Sequence, residues 1–294
     1  MSKKIAVLGL GAMGLPIATN LSKDFEVTGF DPVDERAKLA SDAGIQAEPS
    51  ARKAAEGADF VVLAVRNQEQ LDTALYGEDG VVEVLEEGAT IILTSTVGVE
   101  VAANAEAPLK EKGLGLVDAP VSGGPVRAGE GDLLVVVGAL PEVYERALPV
   151  LEAMAGTLVN VGDSAGKGQA MKTVNQLLCG VHIAAAGEAL ALARKLELDV
   201  PQALRALMSG AAASFMLGDR GERMLRAYDD EDVEVKSRLD IFVKDMGIVT
   251  DAAKAVGLAV PVAAAAQQEY LIGVAQGMAA KDDSSVIRVV APEA

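Results

Sequence analysis

Cysteine, histidine and aromatic side chains are nearly missing from this sequence. Its 294 residues include one cysteine, one histidine, no tryptophan, four tyrosines and five phenylalanines. The lone Cys179 excludes a disulfide within the chain. With one histidine, His182, beside it, a zinc site of cysteines and histidines is not expected, and no metal is assigned. Redox chemistry would therefore need an organic cofactor or an oxygen-ligated metal. Basic residues are also scarce: 26 Lys and Arg stand against 43 Asp and Glu, for a net charge of −17. Nucleic-acid binding, which calls for a basic footprint, is not expected. No apolar run of about 18 residues lacks polar interruptions, so no membrane partner is expected. The start, Met-Ser-Lys-Lys before Ile-Ala-Val-Leu-Gly, has no cleavage-like site and reads as the first strand of a cytoplasmic protein.

What is abundant is small and aliphatic. Half the residues are apolar, so Ala, Val, Leu and Ile must build the core. The length suits one large or two ordinary domains.

The apolar run Lys4 to Leu8 leads straight into Gly9-Leu10-Gly11-Ala12-Met13-Gly14, and helical spacing follows from Leu15 to Leu21. A second strand, Phe25 to Phe30, ends in Asp31. Gly-x-Gly-x-x-Gly between strand and helix, with an acid at the next strand's end, is the spacing of a dinucleotide-binding βαβ unit. The glycines allow a tight turn and let a pyrophosphate reach the helix N-terminus. Asp31 would accept hydrogen bonds from ribose hydroxyls and repel a 2′-phosphate, so NAD is favoured over NADP. Arg36, close by in sequence, could relax that preference and leaves NADP possible.

Strands at Phe60 to Val65, Thr90 to Thr94, Leu114 to Val117, Asp132 to Gly138 and Leu158 to Val161 alternate with helical stretches. That alternation predicts a mostly parallel, doubly wound sheet, whose ligands lie beyond the carboxyl ends of its strands. Arg66, Asn67, Ser95, Thr96 and the loop Asp118-Ala-Pro-Val-Ser122-Gly123-Gly124-Pro125 fall on that edge. Ser-Gly-Gly offers a hydroxyl and open backbone N–H groups to a carboxylate or phosphate, although alone it equally suits an ordinary turn.

After Gly162 the β signal stops. The stretch from Gly162 to Leu196 predicts a loop feeding one helix of roughly 25 to 30 residues, longer than the usual ~10–14 and buried all round or shared between two packed bodies. Lys172, Asn175 and Gln176 share one face of it, at i, i+3 and i+4. A lysine in an apolar helix is either a catalytic base with a lowered pKa or a side chain snorkelling to the helix end. Further helices are expected at 201–208, 238–256 and 261–279. The expected division is a Rossmann domain over 1–163 and an all-α domain over 164–294. Leu239-Asp240-Ile-Phe-Val-Lys244-Asp245 reads, by itself, as a solvated surface turn, and Arg220, Arg223 and Arg226 as a solvated face. His182 is expected to pack, and the last residues, 291–294, to fray.

These motifs together resemble the β-hydroxyacid dehydrogenase family, over essentially the whole chain. Gly9 to Leu21 is similar to its cofactor fingerprint and Asp118 to Gly124 to its substrate signature. Gly166-Lys-Gly-Gln-Ala-Met-Lys172 resembles its catalytic-lysine segment, and Lys244-Asp245 its C-terminal signature. The resemblance implies that Lys172 is the acid/base and that Ser122, Gly123 and Gly124 hold a substrate carboxylate. It implies cofactor contacts near Val65, Arg66, Asn67, Thr96 and Lys244, with Asn175 and Gln176 toward the substrate. It also implies a helical domain that mediates homodimers or homotetramers. Two positions depart from the family pattern: Gln176 replaces an asparagine, and Leu93 an aspartate. The run from Asn175 with Asp240 to Asp245 and Lys281-Asp-Asp-Ser is most similar to the branch acting on L-threonate.

The expected function is hydride transfer from a small hydroxycarboxylate, of L-threonate or 3-hydroxyisobutyrate type, to NAD⁺. Alternatives are an NAD(P)H-dependent reductase of a small semialdehyde acid, an imine reductase, which the lysine at 172 disfavours, and a dinucleotide-sensing protein without turnover.

Overall fold

The computed structural model describes residues 3–229 and 233–292. The chain forms two compact units, Met1–Lys172 and Thr173–Ala294. The first unit holds one sheet of nine strands. In chain order these are β1 Lys4–Leu8, β2 Glu26–Phe30, β3 Gln46–Ala47, β4 Phe60–Leu63, β5 Thr90–Leu93, β6 Gly115–Asp118, β7 Val121–Ser122, β8 Leu133–Gly138 and β9 Ala155–Gly162. They lie in the order β3-β2-β1-β4-β5-β6-β8-β7, with β9 on β8. From β3 to β6 every pairing is parallel. β8 then runs antiparallel to β6 and β7, and β9 parallel to β8, so the far edge is mixed.

Side-chain alternation explains the two-sided core. Ile5 and Val7 of β1 point into one apolar cluster, Ala6 and Leu8 into another on the opposite face. Central strands covered on both faces carry continuous apolar runs, as Phe-Val-Val-Leu in β4 does with every residue buried. Each such large side chain contributes about 1.5–3 kcal/mol by burial. The chain reverses direction across the sheet between β1 and β4, which opens a crevice at their carboxyl ends.

The long helix is Lys167–Lys195, 29 residues. The division into compact units falls within it, after Lys172. Its first turns belong to the sheet unit because Gln169 is hydrogen-bonded into the sheet edge. It is not buried all round: Met171, Val174, Leu178 and Leu192 are 41–59% exposed. By length and composition this helix could cross a membrane, contrary to the expectation from its polar interruptions, although half of that stretch is buried within the protein.

In the second unit the helices Val200–Met208, Phe215–Leu225, Leu239–Ala255 and Pro261–Ala275 pack around Ile183, Leu190, Phe242, Met246 and Tyr270. Phe242 stacks on Tyr270 at 5.3 Å, and the Tyr270 hydroxyl donates to Gly180 O at 2.7 Å. Gly180 must be small, since a Cβ there would meet Met246 Sδ at 2.2 Å. His182 is half-buried in the long helix.

The arginines correct an expectation. Arg220 and Arg223 are not solvated, with side chains 13% and 11% exposed. They pair with Asp283 and Asp282, both fully buried, and share Asp219. Buried carboxylates need such partners, and the pairing overrides the helical spacing that looked like a surface face. Arg226 alone is exposed. Of the tail expected to fray, residues 293–294 lie outside the described residues, and Ala291 O accepts from the Tyr228 hydroxyl at 2.6 Å.

Glu188 and Glu269 share a hydrogen bond on the second unit. Burial, then the charge of Glu188 and that hydrogen bond, push Glu269 up to about 7. Because its folded pKa lies above the unfolded value, stability falls as pH rises from about 4.5 to about 7. Glu269→Gln should therefore raise Tm at pH 8 by about 2–4 °C, after discounting for its half-exposed position, and leave it unchanged at pH 4. Thermal unfolding at both pH values checks this; an equal shift at both would rule the shared proton out.

Candidate active site

The three glycines after β1 do different work. Gly9 has φ +93°, and a Cβ there would lie 2.4 Å from Ala64 O. A Cβ on Gly14 would meet Gly9 O at 1.7 Å, so the helix Gly14–Leu21 can only start this close to the loop without one. Gly11 is the reverse case: a Cβ would meet nothing nearer than Arg36 Nη1 at 3.7 Å. Its open side is space for a ligand, which a side chain would fill. No side chain caps the following helix and its first turn has no acid, so an anion there meets the positive end of the helix dipole without a competing carboxylate, although Leu15 N and Ile17 N already donate to Gly11 O and Met13 O. Leu10, Ala12 and Met13 carry the rest of this loop, and Leu10 is buried.

Asp31 follows β2 and is 5% exposed. Its carboxylate accepts from Leu10 N at 2.8 Å and Val33 N at 3.0 Å, with Arg36 at 3.4 Å. It therefore braces the glycine loop from below. Arg36, about half-exposed, brings a cation to the same place. After β4, Val65 N donates to Ser95 Oγ at 2.8 Å, which ties the loop after β4 to the loop after β5. Asn67 caps the helix Gln68–Tyr76, its Oδ1 accepting from Gln70 N at 2.9 Å, while Arg66 N donates to Gln70 Oε1. The side-chain oxygen of Asn67 is thus occupied locally.

Two residues whose roles the sequence did not disclose organise the rest. Asp118, at the end of β6, is fully buried. Its Oδ2 accepts from Gly166 N at 2.8 Å and Gln169 N at 2.9 Å, and its Oδ1 from Gln169 Nε2 at 2.8 Å. Burial raises its pKa, and these hydrogen bonds oppose the rise. Gln169, with no exposed surface, also donates to Ser95 O and accepts from Val97 N and Gly98 N. It so brackets Thr96. The one available signal was polarity: an aspartate closing an apolar strand, and a glutamine among glycines.

The consequence is placement. Lys172 is one turn past Gln169 and is 7% exposed, which the snorkelling alternative does not fit. Ser122, Gly123 and Gly124 come four to six residues after the same Asp118. Gly123 and Gly124 have φ +142° and +79°, and nothing lies within 4 Å of where a Gly124 Cβ would be. One buried carboxylate therefore anchors both the lysine helix and the strand that leads into the Ser-Gly-Gly turn. Leu93, the last residue of β5, is fully buried in the core and paired in register with Asp118.

Asn175, Gln176 and Lys244 belong to the second unit. Lys244-Asp245 is not a surface turn: it lies within the helix Leu239–Ala255, and Asp245 is 3% exposed. Gln176 donates to Asp245 Oδ2, and Lys244 Nζ lies 3.1 Å from Asp245 Oδ1. Among the described residues no group of three or more His, Cys, Asp or Glu could hold a metal ion.

Comparison with known proteins decides the family. Residues 4–162 match the pattern described as the NAD binding domain of 6-phosphogluconate dehydrogenase. Residues 166–290 match that of the NAD-binding of NADP-dependent 3-hydroxyisobutyrate dehydrogenase. A protein of Pectobacterium atrosepticum named L-threonate dehydrogenase is 36% identical over 97% of this chain and 93% of its own. The chain belongs to the β-hydroxyacid dehydrogenase family. A second L-threonate dehydrogenase, from Cupriavidus necator, is also 36% identical, over 98% of this chain and 96% of its own. The crystal structure of a 3-hydroxyisobutyrate dehydrogenase from Salmonella typhimurium superimposes with a TM-score of 0.90 at 32% identity, covering 98% of this chain and 99% of that one. As a β-hydroxyacid dehydrogenase the protein is an NAD(P)-dependent oxidoreductase acting on CH–OH donors. The open side of Gly11 and the uncapped helix behind it fit that cofactor's pyrophosphate.

Proposed function

We propose that this β-hydroxyacid dehydrogenase oxidises the hydroxyl of a small hydroxycarboxylate of L-threonate type, with NAD⁺ as acceptor and Lys172 as general base. The observation that carries this reading is the shared anchor: Asp118 holds the helix that presents a buried lysine and precedes the Ser122-Gly123-Gly124 turn. A hydroxyl and the open backbone of Gly124 suit a carboxylate. Lys172 Nζ takes the hydroxyl proton as the carbon loses hydride, and returns it when the reaction reverses. When bound, the nicotinamide accepts that hydride. The loop Gly9 to Gly14 holds the pyrophosphate, Asp31 the ribose side, and Val65, Arg66, Asn67 and Thr96 border the nicotinamide end. The L-threonate preference rests on the two relatives named for that activity.

NAD is preferred because Asp31 is a buried carboxylate at the place a 2′-phosphate would enter, and Arg36 is already paired with it. The protein works in the cytoplasm as a homodimer or homotetramer. Support for an oligomer comes from Val174 and Leu178, apolar and more than half exposed on the long helix.

The test is NADH formation with L-threonate, D-glycerate, 3-hydroxyisobutyrate, 4-hydroxybutyrate and L-serine, each repeated with NADP⁺. L-threonate with NAD⁺ should give the highest kcat/KM. A higher kcat/KM with NADP⁺ would overturn the role given to Asp31. Faster reduction of a semialdehyde acid by NADPH would favour a reductase, and tight NAD binding without any turnover a sensor.

A further inference from the structure

The second unit holds a cavity of its own, about 340 Å³, lined by Gln276, Gly277, Met278, Lys281, Arg288 and Pro292. That volume suits a small molecule. Met278, 6% exposed, gives it an apolar floor, and Gln276 and Gly277 stand exposed at its rim. Nothing lies within 4 Å of where a Gly277 Cβ would be, so that side is open.

Two of the six lining side chains are cations and none is an acid, although the chain carries a net charge of −17. Among the described residues no carboxylate pairs with Arg288. The acids nearest to it in sequence are committed elsewhere, Asp283 to Arg220 and Asp282 to Arg223. Arg194 adds to the excess: it lies 4.2 Å over the Tyr228 ring, and its buried Nε has no hydrogen-bond partner. Burial raises the pKa of Tyr228 and the charges of Arg194 and Arg288 oppose the rise, so both arginines lie near that hydroxyl. The same hydroxyl donates to Ala291 O, which fixes the backbone beside Pro292. The helix Pro261–Ala275 does not call on the cations either, since Ile272 O, Gly273 O and Val274 O already accept from Gln276 N, Met278 N and Gly277 N.

We propose that this cavity binds a compact dianion, an organic phosphate or a short dicarboxylate. The Arg288 guanidinium is a fork that fits either group through two hydrogen bonds, and Lys281 supplies a second positive charge. Met278 and Pro292 offer a short carbon body an apolar wall. The ligand also braces the second unit. Ala279 O and Lys281 O, on the segment that walls the cavity, accept from Asp240 N and Leu239 N at the start of the helix Leu239–Ala255. This site is separate from the hydride-transfer reading and stands without it.

The experiment is calorimetric titration of the full chain, saturated with NADH, with inorganic phosphate and with succinate at fixed ionic strength. NADH keeps phosphate off the glycine loop. One of the two anions, or both, should bind at one site per chain with Kd below about 1 mM and raise Tm by about 5 °C at a hundredfold excess over Kd. Phosphate alone assigns the site to phosphates, and succinate alone to dicarboxylates. Arg288→Gln should weaken binding at least about tenfold. Gln276→Glu, which adds a like charge at an exposed position, should do the same and serves if Arg288→Gln does not fold. Arg226→Gln, at an exposed arginine paired with Asp229, should change nothing. Silence of both anions would overturn the proposal. So would variants that bind as well as the wild type, which would put the ion elsewhere, or an equal loss in Arg226→Gln, which would reduce it to general charge attraction.

Discussion

Lys172→Ala is expected to lower kcat by about 10²–10⁴, the usual cost of removing a general acid/base. KM for the hydroxyacid should change little, because the proposed function gives the carboxylate to the Ser-Gly-Gly turn. NADH binding should not change, because the glycine loop and Asp31 lie elsewhere on the sheet edge. The loss should be visible in both directions of the reaction, since in the proposed mechanism the same atom takes and returns the proton. Lys172 is 7% exposed, so truncation also leaves a void. Lys172→Met, which keeps most of the volume, separates the two effects: it should be as inactive as the alanine variant and more stable. Added small primary amines should restore part of the alanine variant's rate. Turnover within about threefold of wild type, in a folded Lys172→Ala protein, would remove Lys172 from the mechanism.

Asp118→Ala should be the most damaging change outside the reacting groups. It orphans Gly166 N and Gln169 N and takes from Gln169 Nε2 one of its two acceptors, leaving Ser95 O. These groups are buried, and each unsatisfied one costs about 1–3 kcal/mol. Their sum is a large share of the ~5–15 kcal/mol that typically holds a domain together. The milder Asp118→Asn is informative as well. Its amide nitrogen would face Gln169 Nε2, donor against donor. Gln169 cannot turn over to relieve this, because its Oε1 already serves Val97 N and Gly98 N. A loss of about 1–3 kcal/mol, or roughly 2–12 °C in Tm, is expected for Asp118→Asn. Activity should fall further than stability, since Lys172 is one turn from the loosened anchor. Calorimetry and kcat measured on the same preparations check both. An Asp118→Asn protein with wild-type Tm would show that the anchor carries no stability.

Some of the site was legible because its physics is local. The glycine loop needs positive φ and absent Cβ atoms, and only glycine supplies these, so Gly9 and Gly14 announce themselves. Asp31 sits at a fixed distance from them along the chain. The long helix follows from an unbroken apolar run without proline, and the observed Lys167–Lys195 is close to the expected span.

What stayed hidden depends on pairing between distant residues. Asp118 and Gln169 are 51 residues apart, and nothing local marks either as the partner of the other. Arg220 and Arg223 have the spacing of a solvated face, and only the return of Asp282 and Asp283 beside them buries the pair. Asp245 looked like surface for the same reason, until Gln176 came across from another helix. The mixed edge of the sheet was hidden too, because strand direction is set by how the chain folds back and not by the strand's own residues. The sequence by itself determined the elements, the nucleotide loop and the family. The tertiary structure alone decided which polar groups are buried together, because a buried charge or amide is stable only where another part of the chain supplies its partner.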